Sequence, residues 1–145
     1  MIFVYIGVPF IVLLIVGYLY NKQKDDKLKK QIHALLNQYG VLQHHQYEIK
    51  NQTFDIHYFK VGVNEELVIN SPIVWEIHGG TGSRLIDQKH LKDHREKLII
   101  VYPSKQPIKR FINEHEMVFV NHASHFNHMH VVKLDELELF LKEAI

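Results

Sequence analysis

A chain of 145 residues has room for one modest domain and an accessory segment, and a formal charge of +1 argues against a strongly electrostatic nucleic-acid binder. The absence of cysteine agrees with a reducing compartment and removes the usual thiolate ligands of structural zinc sites. Twelve histidines are the one unusual feature of the composition.

In chain order, residues 1–20, "MIFVYIGVPFIVLLIVGYLY", carry no charged side chain. Twenty helical residues rise about 30 Å, the hydrocarbon thickness of a bilayer, so the segment reads as a transmembrane anchor. No basic residue precedes the apolar run and no small-residue cleavage site closes it, which separates it from a secretory signal. Residues 21–25 form a basic juxtamembrane linker, and Lys22, Lys24, Lys27, Lys29 and Lys30 all follow the span. The positive-inside rule then places the N-terminus outside and residues 26–145 in the cytoplasm, as a single-pass protein of the cell membrane. The lysines are suited to anionic lipid headgroups.

Residues 26–145 read as an α/β domain. Leu28, Ile32, Leu35 and Tyr39 recur at helical spacing, and Gly40 stops the helix. "HHQYEIK" and "TFDIHYFKV" read as strands joined at Asn51-Gln52, followed by "EELVIN" and "IVWEIH". "GGTGS" reads as a loop whose Ser83 caps a helix running to about Glu96. "KLIIVYP", uninterrupted and apolar, reads as a central buried strand. A short helix around "PIKRFI", strands "MVFV" and "HVVKL", and a closing helix from Asp135 complete the chain.

"SPIVWEIHGGTGS" carries the chemistry worth weighing. His78-Gly79-Gly80 after a strand is similar to an esterase oxyanion loop, but no Gly-x-Ser-x-Gly nucleophile elbow exists in the chain. Strand alternation puts Glu76 and His78 on one face. Asp55 on an earlier strand, Glu76-Ile77-His78, and the order helix, three strands, helix, strand resemble the PD-(D/E)xK restriction-endonuclease-like family over residues 26–103. The resemblance implies an αβββαβ domain with a C-terminal extension. It also implies Asp55 and Glu76 as ligands of Mg2+ or Mn2+, with His78 in the catalytic position of the family lysine. The departures are that histidine, which is mostly neutral where lysine is charged, and Phe54 in place of the proline before the aspartate. Lys89 or Lys92 on the following helix would have to reach in instead.

The segment 121–130 holds His122, His125, His128 and His130, and His90 and His94 stand one helical turn apart. Imidazoles at such spacings can bind zinc, but the helical pair lacks the glutamate of a metalloprotease, since Leu91 follows His90. Two function classes follow. One is a non-catalytic interaction module that recruits a protein partner, or less readily nucleic acid, to the membrane. The other is a divalent-metal nuclease with a rearranged site.

Overall fold

The computed structural model describes residues 2–143, with side chains from residue 7 onward. The chain divides into two compact units, Met1–Ala34 and Leu35–Ile145. A single helix, α1 (Ile2–Tyr39), makes up the first unit and enters the second. The expected anchor and the expected helix ending at Gly40 are thus one element. Gly40 donates its N–H to the Leu36 carbonyl at 3.0 Å and ends it. A Cβ at Gly40 would run into the Glu48 carbonyl and the Tyr47 ring, so the chain can turn there only on glycine. Among the described residues no helix is long and apolar enough to cross a membrane, and the first six positions of the expected anchor lie outside the described side chains.

The second unit is a mixed α/β fold of two five-stranded sheets. The first sheet has the order β1 (Val41–Gln43), β2 (Gln46–Ile49), β3 (Gln52–Val61), β7 (Lys97–Pro103), β10 (Met129–Lys133). The second has the order β6 (Gly82–Asp87), β5 (Val74–Gly79), β4 (Glu66–Ile69), β8 (Ile108–Asn113), β9 (Glu116–Val120). Sequential neighbours pair antiparallel, whereas β3–β7, β7–β10 and β4–β8 are parallel. One core joins the inner faces of both sheets: Val61, Ile99, Val101 and Val131 from the first, and Leu67, Ile69, Trp75, Ile77 and Ile108 from the second. Alternation along each strand, period two, is what delivers these residues to one side. On the far side of the first sheet, the closing helix α2 (Leu137–Glu143) sets Phe140 edge-on to Phe54, with ring centroids 6.3 Å apart.

Two expectations are corrected. Residues 83–96 are not a helix. Gly79 and Gly82 pair across a two-residue turn, and β6 returns along β5 before a 3-10 turn at Lys89–Leu91. "PIKRFI" likewise gives the strand β8, held between β4 and β9. The αβββαβ order is therefore replaced by a two-sheet sandwich, and the strands expected side by side are divided between its layers.

Candidate functional site

The division decides where the expected catalytic residues fall. Asp55 lies on β3 with the parity of Phe59 and Val61, so it projects from the inner face of the first sheet, near its end. Glu76 lies on β5 of the second sheet, with the parity opposite to the buried Trp75 and Ile77, so it projects from the outer face. The two carboxylates belong to different layers and do not converge. Glu76 and His78 do share a face, as alternation requires, with His78 Nε2 3.3 Å from Glu76 Oε1. Hydrogen bonds from Asn70, then Ser83, with His78 adding less, hold the Glu76 carboxyl below its ordinary range. Lys89, one candidate for the missing lysine, pairs with Asp87 at 3.1 Å. These residues do not fit the Mg2+ or Mn2+ ion that the resemblance implies. Among the described residues, no three histidine, aspartate or glutamate side chains are grouped so as to hold a metal ion.

Asp55 is instead part of an ionic chain that the sequence reading missed. Arg95 Nη1 donates to Asp55 Oδ2 at 2.8 Å, while its Nε and Nη2 reach Asp93 Oδ2 at 3.0 and 2.7 Å. Asp93 Oδ1 then meets Lys97 Nζ at 2.7 Å. Lys97 is 1% exposed, and its ammonium is also held by the carbonyls of Asp93 and Arg95 at 2.9 and 2.6 Å. Its three donors thus have three acceptors, which is what lets a lysine lie buried. Lys97 first and Arg95 second hold the Asp93 carboxyl far below the usual carboxylate range. The charge-dense "DHREK" just before the apolar run of β7 was the available signal.

Beside this chain lies the histidine cluster. The turn Phe126–Met129 closes with reciprocal backbone hydrogen bonds of 3.1 and 2.9 Å, and its central residues, Asn127 and His128, have φ of 49° and 58°. That left-handed pair is the backbone of a tight hairpin turn, and asparagine tolerates it well. The turn carries His128 to Glu96, with Nδ1 3.1 Å from Oε1, while His125 Nε2 approaches Oε2 at 2.8 Å. Partial burial pushes the Glu96 carboxyl up, but the hydrogen bonds and charges of His125 and His128 outweigh it and leave it below its usual range.

His94 stands edge-on to His128 at 5.6 Å, and His130 stacks on His125 at 4.7 Å. His90 faces His57 at 6.0 Å, so the pair expected one helical turn apart is split between two neighbourhoods. Burial, and then the proximity of His90, lowers the His57 pKa. His122 sits apart from the cluster, 3.4 Å from Glu143.

Two of the open clefts beside the 93–97 segment are of similar size. One of about 520 Å³ is lined by Phe54, Thr53, Glu96, His125 and His130. The other, about 530 Å³, is lined by His44, His45, Asp55, His57 and Arg95 among others. A histidine–carboxylate pair can serve as a general base toward a water or hydroxyl within hydrogen-bond reach. The hydroxyl nearest in sequence, Ser124 Oγ, is engaged with the Asn121 side chain at 3.2 Å and the Asn121 N–H at 3.0 Å. What the arrangement offers is a polar surface on which several imidazoles lie side by side around the Glu96 carboxylate. No family model matches the chain, and no curated protein or solved structure matches it.

Proposed function

We propose that the chain is a membrane-anchored interaction module. Its apolar N-terminal segment tethers the two-sheet domain to the cytoplasmic face of a membrane. The histidine–carboxylate end, made by segments 93–97 and 121–130, meets a protein partner. One observation carries this reading: the helix exposes apolar side chains on every side, including Phe10 (63%), Leu13 (69%), Val16 (57%) and Tyr18 (66%). Burying one such side chain is worth about 1.5–3 kcal/mol, and a helix apolar all round needs an apolar medium rather than one packed stripe. The lysines from Lys22 to Lys30 follow the apolar run, with Lys29 3.7 Å from Asp25, and favour a cytoplasmic C-terminal domain.

The test is fractionation of cells that make the full chain with a C-terminal tag. The expected result is a protein that stays in the membrane pellet through an alkaline carbonate wash, with its tag cleaved by protease only in inside-out vesicles. Leu13→Lys with Ile15→Lys should release it, since each lysine at a helix centre costs about 2.5–3.5 kcal/mol of insertion. Wild-type protein in the carbonate supernatant would sink the anchor.

A further inference from the structure

An exposed strand edge is a template for another strand, and folded proteins guard it with lysine, proline or inward-pointing charge. The second sheet ends in β6 on one side and β9 on the other. β6, "GSRLID", carries Arg84 and Asp87. β9, "EMVFV", has no proline and no charge after Glu116, and among the described residues it pairs with β8 alone. Its outward residues are apolar and open, with Phe119 61% and Met117 39% exposed. On β8, Phe111 stands opposite Met117 and is 40% exposed, while Lys109 stands opposite Phe119.

We infer that β9 pairs antiparallel with β9 of a second copy of this chain, about a two-fold axis through Val118. The strand is complementary to itself in that register. Val118 faces the second copy's Val118, Met117 faces its Phe119, and Glu116 faces its Val120, so no like charges are opposed. Across the junction the outer face reads Phe111, Met117, then the second copy's Phe119 and Lys109, and the two-fold axis repeats the row. Shifting the register by one residue sets outward side chains against inward ones and breaks the continuity of both faces. Moving the axis to residue 117 or 119 sets Phe119 against His115 or Met117 against Asn121. An isologous contact of this kind closes on itself and gives a dimer rather than a filament. This inference stands apart from the anchor and does not depend on it.

The chain has no cysteine, so a single introduced thiol reports one contact. Directly opposed residues of an antiparallel pair have Cα atoms about 4.5–5.5 Å apart, within the disulfide range. Full-length Val118→Cys, oxidised mildly in whichever fraction the chain is recovered, should run mainly as a covalent dimer. Met117→Cys and Phe119→Cys should cross-link several-fold better when mixed than either does alone. Leu85→Cys, on the β6 edge, is the control and should remain monomeric. Adding Phe119→Lys to Val118→Cys should cut the dimer several-fold while the fluorescence of the buried Trp75 shows the domain still folded. A Val118→Cys yield no greater than that of Leu85→Cys overturns the inference and leaves the edge to an extended segment of another protein. Equal yields with and without Phe119→Lys overturn it as well, because chance proximity would not respond to that lysine.

Discussion

His130 shows how a single side chain can contribute to the loss of stability in acid. Its ring lies half-buried, 5.0 Å from Phe140 and 5.9 Å from Phe54, and stacked on His125. Burial first, and then His125, lowers its pKa from the ordinary 6.5, against smaller opposing effects of the Ser124 backbone and Glu96. The sign follows from proton binding. Below pH 6.5 the unfolded chain binds a proton at this position more readily than the folded one, so stability falls as pH drops through that value toward the folded pKa. His57, lowered mainly by burial, acts in the same window and direction. We expect urea midpoints to decline from pH 7 to pH 5, and His130→Leu, apolar among aromatic neighbours, to flatten part of that decline. A wild-type midpoint that rises on acidification, or a His130→Leu profile parallel to wild type, would contradict the assignment. Among the candidate site residues, the contact of Glu76 with His78 was legible because it depends only on strand alternation. The ionic chain from Asp55 to Lys97 was not, because it is made by residues distant in sequence or hidden in a segment read as a helix.

At the level of elements, the hairpin β5–β6 tests why the reading of residues 83–96 failed. Gly79 and Gly82 close the turn as a pair, and Gly82 has φ of 133°, a backbone conformation that side-chain-bearing residues rarely adopt. Nothing lies within 4 Å of a Cβ built there, so the cost of substitution is conformational rather than steric. Gly82→Val should destabilise the domain by about 1–3 kcal/mol, whereas Gly80→Ala, also free of neighbours within 4 Å, should be close to neutral. Thermal unfolding of the two variants side by side checks this, and equal melting temperatures would exclude the backbone argument. The glycines were visible as punctuation, but the strand after them was not. β6 is exposed at every position except Ile86, so it carries no hydrophobic period to read. β8 misleads in the opposite way, since Ile108, Phe111 and Ile112 put apolar groups on both faces. β7, buried along its whole length to Tyr102, was legible for the reason β6 was not. The assignment of strands to two sheets depends on long-range pairing such as β3 with β7 and β4 with β8, which no local pattern encodes.

For the whole molecule, the division into two compact units allows the proposed tether and the stability of the domain to be tested separately. The inter-sheet core draws its residues from Val61 to Met129 and Val131, all far in sequence from the apolar segment. The aromatic contact that seats α2 is made by Phe54 and Phe140. Trp75, the only tryptophan, is fully buried in that core and reports its unfolding directly. A chain that begins at Asn21 keeps all of these groups, together with Ile32 and Leu36, both fully buried. Its unfolding free energy from urea titration, read by Trp75 fluorescence in the same mild detergent as the full chain, should therefore agree within about 0.5 kcal/mol, the usual range for changes outside a packed core. Its cellular fraction should change completely, from membrane pellet to supernatant. A lower midpoint with unchanged fractionation would reverse the roles, making the N-terminal segment part of the domain's stability instead of its tether. Loss of both would mean that neither unit can be assigned a separate task. Retention of the midpoint with loss of the membrane fraction is the outcome that the proposed anchor and the closed sandwich core jointly require.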